Sequence, residues 1–107
     1  MKLRCVTEIV EFKISPGISE EEFVQIVDSL EVNYHSQQKG FMDTELVKGR
    51  EEGQWLMIQH WNSTEEAKES SRKMFKTETT EAFRSIIDPK SVRMLLGEQI
   101  KSWNPFG

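Results

Sequence analysis

The alternation of apolar and polar residues along the chain begins with a strand. In residues 5–14, the apolar Val6, Val10, Phe12 and Ile14 fall on one parity. This period of two predicts a β-strand that the following Ser-Pro-Gly segment ends. Three further runs predict strands at residues 41–49, 54–61 and 91–103.

Two capping boxes mark the starts of helices. Ser19 and Ser63 each stand three positions before a glutamate, which is the S-x-x-E pattern of a helix N-terminus. After the first box, apolar residues recur at helical spacing, which predicts a helix to about Gln37. After the second box, the pattern predicts a helix that breaks near Thr77. A short helix then follows and ends before Pro89, because the residue preceding a proline is disfavoured in helical conformation.

The order of predicted elements is β-α-β-β-α-β, which is typical of an α+β, ferredoxin-like sandwich. In this fold a four-stranded antiparallel sheet carries both helices on one face. The length of 107 residues predicts a single domain over residues 1–107, with residues 103–107 as a loose tail.

The third predicted strand is apolar on both parities, although the helices can cover only one face of the sheet. We assign Leu56, Ile58 and His60 to the helix-covered face. The helix-free face is then predicted to carry large apolar side chains from three strands: Ile9, Trp55, Met57, Trp61 and Leu95. An apolar face of this kind usually marks an interface, and a second copy is its simplest cover, which predicts a homodimer. The alternative is a monomer with a few exposed apolar residues.

Charge and cysteine content narrow the classes of function. The net charge is −4, and the basic residues are scattered, which does not favour a nucleic acid partner. No apolar run approaches the roughly 18 residues of a membrane span. Glu8 and Glu11 interrupt any signal-peptide core, and the lone Cys5 cannot form an intrachain disulfide, so we expect a cytoplasmic protein. Two histidines and one cysteine without H-x-x-H or C-x-x-C spacing predict no metal site.

The stretch GFMDTELVKGREEGQWLMIQHWNSTEEAKESS, residues 40–71, carries a resemblance to a known family. Its features are Gly40-Phe41 opening the second strand, Trp55 in the third, and Trp61 followed by the helix start at Ser63. These residues resemble the core of antibiotic biosynthesis monooxygenase-type domains, which belong to the dimeric α+β barrel superfamily. The segment IDPKSVRM extends the similarity toward an uncharacterised subgroup, so the resemblance spans roughly residues 5–102. It implies a dimer with a ligand cavity between the sheet and the helices.

The resemblance also bears on chemistry. The haem-degrading branch relies on an asparagine in the first strand and on a tryptophan and a histidine in the second helical segment. This chain has no asparagine in residues 1–32 and neither residue type in residues 64–87, so no haem is expected. It also has no Gly-rich phosphate loop and no dinucleotide fingerprint, so no other cofactor is expected. The quinone-forming branch, which Trp61 and Asn62 match in part, implies a cofactor-independent oxygenase for a small aromatic or quinol-like compound. A non-catalytic, small-molecule-binding or stress-related dimer of the same fold is the alternative.

Three residues are candidates for proton transfer: His60, Glu8 and Tyr34. On the parity assigned above, His60 and Glu8 share the helix-covered face of neighbouring strands. A carboxylate beside an imidazole in an apolar setting could transfer a proton to or from a phenolic substrate. Tyr34, on the inner stripe of the first helix, would direct its hydroxyl at the same cavity. The alternatives are a solvated Glu8, a His60 bonded to a loop carbonyl, and a Tyr34 that is a core aromatic.

Five residues are candidates for contact with the bound molecule. Trp61 and Asn62 follow from the resemblance, and Met74, Phe75 and Phe83 would line any pocket beneath the second helical region. The alternative for Trp61 is packing at the junction with the helices or with a second copy of the chain. The spacing of the other apolar residues is equally typical of a core.

Overall fold

The chain follows the predicted order of elements. The computed structural model describes residues 5–106. Its strands and helices are β1 (Val6–Lys13), α1 (Glu20–Asn33), β2 (Phe41–Lys48), β3 (Gln54–Trp61), α2 (Thr64–Met74), α3 (Glu81–Ile86) and β4 (Arg93–Glu98). Short 3-10 turns occupy His35–Gln37, Glu78–Thr80 and Pro89–Ser91. The predicted α+β, ferredoxin-like fold is therefore confirmed.

The four strands form one antiparallel sheet in the order β2-β3-β1-β4. The last strand is shorter than predicted, because β4 covers only residues 93–98, and residues 99–106 form neither a helix nor a strand. Residues 1–4 of the predicted domain and residue 107 of the predicted tail lie outside the described residues.

Both predicted caps are present at the helix starts. The Ser19 hydroxyl accepts a hydrogen bond from the backbone N–H of Glu22, whose carboxylate accepts one from the Ser19 N–H, so this capping box is complete. Ser63 accepts from the N–H of Glu66 at 3.2 Å, and its own hydroxyl donates to the Glu66 carboxylate. These bonds satisfy backbone donors that a helix start leaves without partners, which fixes where α1 and α2 begin.

The assignment of the two faces of β3 was wrong. In the register, Val6 lies opposite Trp61 and Phe12 opposite Trp55, so the buried parity of β1 shares its face with the tryptophans. Leu56, Ile58 and His60 lie on the helix-free face. A period of two separates a strand into two sets of side chains, but it does not identify the set that lies beneath the helices.

An aromatic cluster fills most of the layer between the sheet and the helices. Phe12, Phe23, Trp55 and Phe83 contact one another with ring centroids 4.8 to 6.4 Å apart. Trp61 forms a second buried cluster with Val6 and Ala67 at the far end of the sheet. Burying one large apolar side chain contributes about 1.5–3 kcal/mol, which explains why the bulkiest residues occupy this layer.

The helix-free face carries a continuous apolar row. Ile9 pairs with Ile58 on one side and with Leu95 on the other, and the Leu95 side chain is 68% exposed. Ile9 and Leu95 therefore lie on the predicted face, whereas the tryptophans and Met57 lie on the other. Within residues 5–106, no helix has the length and apolar character that a membrane span requires.

Candidate functional site

A cavity of about 410 Å³ lies between the helix-covered face of the sheet and the second helical region. This volume is within the range of about 300–1,000 Å³ that is usual for small-molecule sites. Its apolar walls come from β1, β3, β4, α2, α3 and the segments that follow the helices: Val10, Phe12, Met57, Trp61, Met74, Phe75, Phe83, Ile87, Pro89, Val92 and Met94. Six polar residues interrupt this surface: Glu8, His35, Gln59, Ser70, Ser71 and Arg84. The cavity therefore suits a mainly apolar molecule with a few polar groups.

Glu8 is the carboxylate of this cavity, and it is only 2% exposed. One oxygen accepts a hydrogen bond from the indole N–H of Trp61 at 3.0 Å, and the other accepts from the hydroxyl of Ser71 at 3.4 Å. Burial raises the pKa of the Glu8 carboxyl, and the two hydrogen bonds and the charge of His35 oppose that rise. A carboxyl in this setting can exchange a proton with a bound phenol.

Arg84 supplies a cation on the opposite wall. Its Nε donates to the Thr80 hydroxyl at 2.8 Å, and one Nη donates to the Thr77 carbonyl at 3.2 Å. These bonds fix the guanidinium on α3, beside the break between α2 and α3. Gln59 lies opposite Glu8 in the sheet and donates to the Thr44 hydroxyl, so its amide is also held in place.

His35 is a cavity residue that the sequence interpretation did not identify. It is 3% exposed, and its Nδ1 is hydrogen-bonded to the Glu31 carboxylate one helical turn earlier. The ring stacks on Phe41 with a 20° interplanar angle and meets Trp61 edge-on. The signal that could have found it is the i, i+4 spacing of a glutamate and a histidine at the end of a predicted helix.

The structure does not bring the three predicted catalytic residues together. Glu8 lies in the cavity, but Thr7 pairs with His60, so His60 points to the other side of the sheet. There its Nδ1 is 2.7 Å from the Asp43 carboxylate. The predicted juxtaposition of Glu8 and His60 was wrong, because it depended on the inverted assignment of the faces of β3.

Tyr34 lies in the core at the end of α1 and does not line the cavity. It is 2% exposed, and its hydroxyl donates to the backbone carbonyl of Ser70. Burial raises the pKa of the Tyr34 hydroxyl, and the bond to Ser70 opposes that rise. The position corresponds to the alternative considered above, a core aromatic residue.

Four of the five predicted contact residues line the cavity: Trp61, Met74, Phe75 and Phe83. Asn62 does not, and its backbone N–H donates to the Gly40 carbonyl at the start of β2. Within residues 5–106, no three His, Cys, Asp or Glu side chains lie close enough together to hold a metal ion. Whether any of these residues contacts a bound molecule stays a prediction.

Comparison with known proteins agrees with this architecture. A family model described as antibiotic biosynthesis monooxygenase matches residues 5–87. SnoaB, a cofactor-independent oxygenase from Streptomyces nogalater, is similar in structure, with a TM-score of 0.69 and 16% identity, over 95% of this chain and 98% of that one. Rv0793 from Mycobacterium tuberculosis has a TM-score of 0.64 and 12% identity, with coverages of 94% and 99%.

A conserved protein from Methanosarcina mazei Go1 is similar as well, with a TM-score of 0.65 and 12% identity, over 89% of this chain and 92% of that one. Identities this low show a shared fold. No curated protein matches the chain significantly in sequence.

Proposed function

The chain belongs to the antibiotic biosynthesis monooxygenase family, and from this premise we propose that it is a cofactor-independent oxygenase for a small aromatic or quinol-like molecule. The observation that supports the proposal is the buried Glu8 carboxylate on the wall of an otherwise mainly apolar cavity. Leaving a carboxylate in such a place costs stability, and titratable groups with perturbed pKa values in clefts are candidates for catalysis. The similarity in fold to SnoaB, a cofactor-independent oxygenase, is consistent with this assignment.

The chemistry follows from the ionisation of a phenol. Glu8 accepts the hydroxyl proton, and the electrons of the O–H bond remain on the substrate as an electron-rich phenolate, which reduces O₂ directly. One oxygen atom is added to a ring carbon, giving a quinone. The other leaves as water with the two hydrogens that the substrate loses, one from the hydroxyl and one from the ring carbon. The raised pKa of Glu8 brings it closer to that of a phenol, which makes the transfer less unfavourable.

The cavity residues around Glu8 have definite tasks in this proposal. Trp61 and Ser71 hold the two carboxylate oxygens through hydrogen bonds, so the base has a fixed position. Met74, Phe75 and Phe83 contact the faces of the aromatic ring and limit the access of water. Low polarity around the phenolate strengthens every remaining electrostatic contact. The proposal gives no step to His60 or Tyr34, because neither lines the cavity.

Binding of 7-hydroxycoumarin tests the role of Glu8, because the phenol and phenolate forms of this probe absorb at different wavelengths. The protein is expected to bind it in the cavity and to raise the pH at which the bound probe ionises, because an ionised Glu8 accepts a hydrogen bond from the neutral phenol and repels the phenolate. Glu8→Gln should weaken binding about tenfold, as expected for the loss of a charged hydrogen bond, and should reduce that shift. Glu11→Gln is the matched control, because Glu11 lies on the same strand and on the other face. Equal binding and ionisation by Glu8→Gln would exclude Glu8 as the base.

Oxygen consumption then separates catalysis from binding alone. A series of dihydroxynaphthalenes is incubated with the protein in an oxygen electrode, and quinone formation is followed by absorbance. One O₂ consumed for each quinone formed, with loss of this activity in Glu8→Gln, is the expected outcome. Tight binding of the series without oxygen uptake would instead support the non-catalytic alternative.

We also propose that the protein is a homodimer through its helix-free face. The apolar row of Ile9, Ile58 and Leu95 supports this, because an exposed row of this kind on a sheet favours packing against a second sheet. Light scattering should give twice the chain mass of 12.5 kDa. Leu95→Lys should give the monomer, whereas Val32→Lys, at a similarly exposed position on α1, should not. A wild-type chain that is monomeric at micromolar concentration would contradict the proposal.

A further inference from the structure

Glu31 and His35 form a pair on the cavity wall that the mechanism above does not use. His35 lies in the turn after α1, and its side chain is 4% exposed, while that of Glu31 is 23% exposed. The pair therefore leads from the buried cavity toward the surface. Phe41 from β2 stacks on the imidazole and Trp61 from β3 meets it edge-on, and these contacts restrict its rotation.

The bonding pattern fixes the tautomer of neutral His35. A carboxylate only accepts hydrogen bonds, so Nδ1, which is bonded to Glu31, carries the hydrogen. Nε2 is then the basic nitrogen with a free lone pair. Among residues 5–106, every fully buried side-chain nitrogen or oxygen has a hydrogen-bond partner. Nε2 of His35 has no such partner among these residues. Nε2 is consequently not enclosed, and the open space that His35 lines is the cavity.

His35 and Glu8 act on the same space. When His35 carries a proton, its charge lowers the pKa of Glu8, so the two groups are close enough to interact. Trp61 contacts the imidazole while its N–H donates to the Glu8 carboxylate. No hydrogen bond joins Glu8 to His35 directly within the described part of the chain, and both residues line the cavity. Among the described residues, three titratable groups contact His35 or interact with it electrostatically: Glu8 from β1, Glu31 from α1 and its chain neighbour Tyr34.

We propose that His35, oriented by Glu31, is a second catalytic base of the cavity and accepts a hydroxyl proton of the bound molecule at Nε2. This inference rests on the proposed function, since it requires a phenolic ligand. The O–H bond breaks, its electrons stay on the phenolate oxygen, and the new N–H bond makes His35 a cation that Glu31 stabilises. A ligand with a single hydroxyl lies within reach of both bases, whereas on a quinol-like molecule Glu8 faces one hydroxyl and His35 the other.

The chemistry of the two bases favours this division. Transfer to the carboxylate leaves a neutral acid beside the phenolate, whereas transfer to the imidazole leaves a cation there. The cation and the phenolate attract each other more strongly in a cavity of low polarity than they would in water. Glu31, being partly exposed, offers the accepted proton a route to solvent.

The first test reads the tautomer of His35 in the free protein. Long-range ¹H–¹⁵N spectra of the ¹⁵N-labelled chain distinguish a protonated from an unprotonated ring nitrogen, and the variant His60→Gln assigns the two histidines. In the neutral ring, we expect hydrogen on Nδ1 and a lone pair on Nε2. Saturation with 7-hydroxycoumarin should then shift the Nε2 resonance. Hydrogen on Nε2 in the free protein, or an Nε2 resonance that saturating probe leaves unchanged, would overturn the inference.

The second test uses the ionisation of bound 7-hydroxycoumarin. Glu31→Gln removes the charge that stabilises the imidazolium, so the ionisation midpoint of the bound probe should rise by about one pH unit, a tenfold loss. Asp43→Asn is the matched control, because it removes the carboxylate from the other histidine pair on the opposite face of the sheet. A midpoint that Glu31→Gln leaves unchanged, or that Asp43→Asn moves equally, would refute the role of the pair.

These outcomes separate the inference from the proposed function. One outcome is that Glu31→Gln leaves the ionisation midpoint of the bound probe unchanged while Glu8→Gln reduces the probe shift. This outcome would support the proposed function and would refute the role of His35 as a second base. Failure of the wild-type protein to bind the probe would count against both. The tautomer in the free protein would still decide whether His35 presents a base to the cavity.

Discussion

Replacing Glu8 by glutamine should stabilise the protein at neutral and alkaline pH. Glu8 is almost fully buried, and burial is the largest influence on its pKa, which lies above the ordinary value. Glutamine has the same shape and keeps an oxygen that can accept from the Trp61 N–H, but it has no charge to remove from water. Glu8→Gln therefore removes the cost of burying the ionised carboxylate while keeping the local packing.

The sign of the pH dependence follows from proton linkage. An unfolded chain releases the Glu8 proton near the ordinary value of 4.5, whereas the folded protein retains it to higher pH. Between these two values the folded state binds more protons, so wild-type stability falls as the pH rises. Because one proton is involved, the fall attributable to Glu8 is at most about 1.4 kcal/mol per pH unit. The free energy of unfolding of Glu8→Gln should not show this decrease with pH.

A weaker hydrogen bond to Trp61 partly offsets the gain in stability that Glu8→Gln should give. Hydrogen bonds to a charged group contribute about 1.5–3 kcal/mol to stability, and neutral hydrogen bonds contribute about 0.5–1.5 kcal/mol. The bond from Trp61 to the glutamine amide should therefore contribute about 1 kcal/mol less than its bond to the ionised carboxylate. The structure indicates that burial outweighs this loss, because it is the leading influence on the Glu8 pKa and acts against ionisation. The advantage of Glu8→Gln should therefore be smallest in acid and should rise to a plateau once folded Glu8 is ionised.

Urea unfolding followed by tryptophan fluorescence measures this difference directly. Wild type and Glu8→Gln are compared at equal protein concentration, since oligomerisation would alter apparent stability, from about pH 4 to about pH 8. When the free energy of unfolding of one chain is subtracted from that of the other, the contributions of most other titrating groups cancel. A difference that is independent of pH, or that favours the wild type increasingly as the pH rises, would refute a raised Glu8 pKa.

Two further changes test local features of the fold by urea unfolding. Gly40 has φ of 83°, and a Cβ at this position would overlap the Glu66 side chain, so Gly40→Ala should cost about 2 kcal/mol. Gly17→Ala, at φ of 90° but in open space, should cost only about 1 kcal/mol, and equal losses would contradict the steric argument. Ser63→Ala removes the cap of α2 and should cost about 1 kcal/mol, whereas Ser63→Asp should retain most of the stability. A Ser63→Ala chain as stable as the wild type would show that the cap contributes little.

The sequence was most informative where one local signal excluded the alternatives. The capping patterns at Ser19 and Ser63 located both helix starts, because the required side-chain and backbone groups are close in sequence. On β1 the apolar residues occupy mainly one parity, so its buried face could be predicted. On β3 both parities are apolar, and only the pairing with β1 decides between them. That pairing depends on contacts between residues more than forty positions apart, and local pattern does not contain it.

The same limit explains the outcome for the site. Glu8 was found because it is a charged residue on an otherwise apolar parity. His35 was missed because its significance depends on Trp61 and Glu8, which approach it only in the folded chain. His60 was favoured because its parity on β3 was assigned to the helix-covered face beside Glu8, and the register with β1 places that parity on the other face. A site formed by neighbouring strands can therefore be predicted only once the pairing of those strands is known.

The position of the cavity follows from the interruption of the second helical region. α2 ends at Met74 and α3 begins at Glu81, so the layer that covers the sheet is not continuous between them. Thr80, fully buried, closes the break by donating its hydroxyl to the Met74 and Thr77 carbonyls, and Arg84 donates to the same hydroxyl. In a continuous helix, backbone N–H groups would donate to these carbonyls, and the side-chain hydrogen bonds would not be required. The cavity is lined on both sides of this break, by Met74 and Phe75 at the end of α2 and by Phe83 and Arg84 on α3, and Glu8 is the carboxylate on the sheet beneath them.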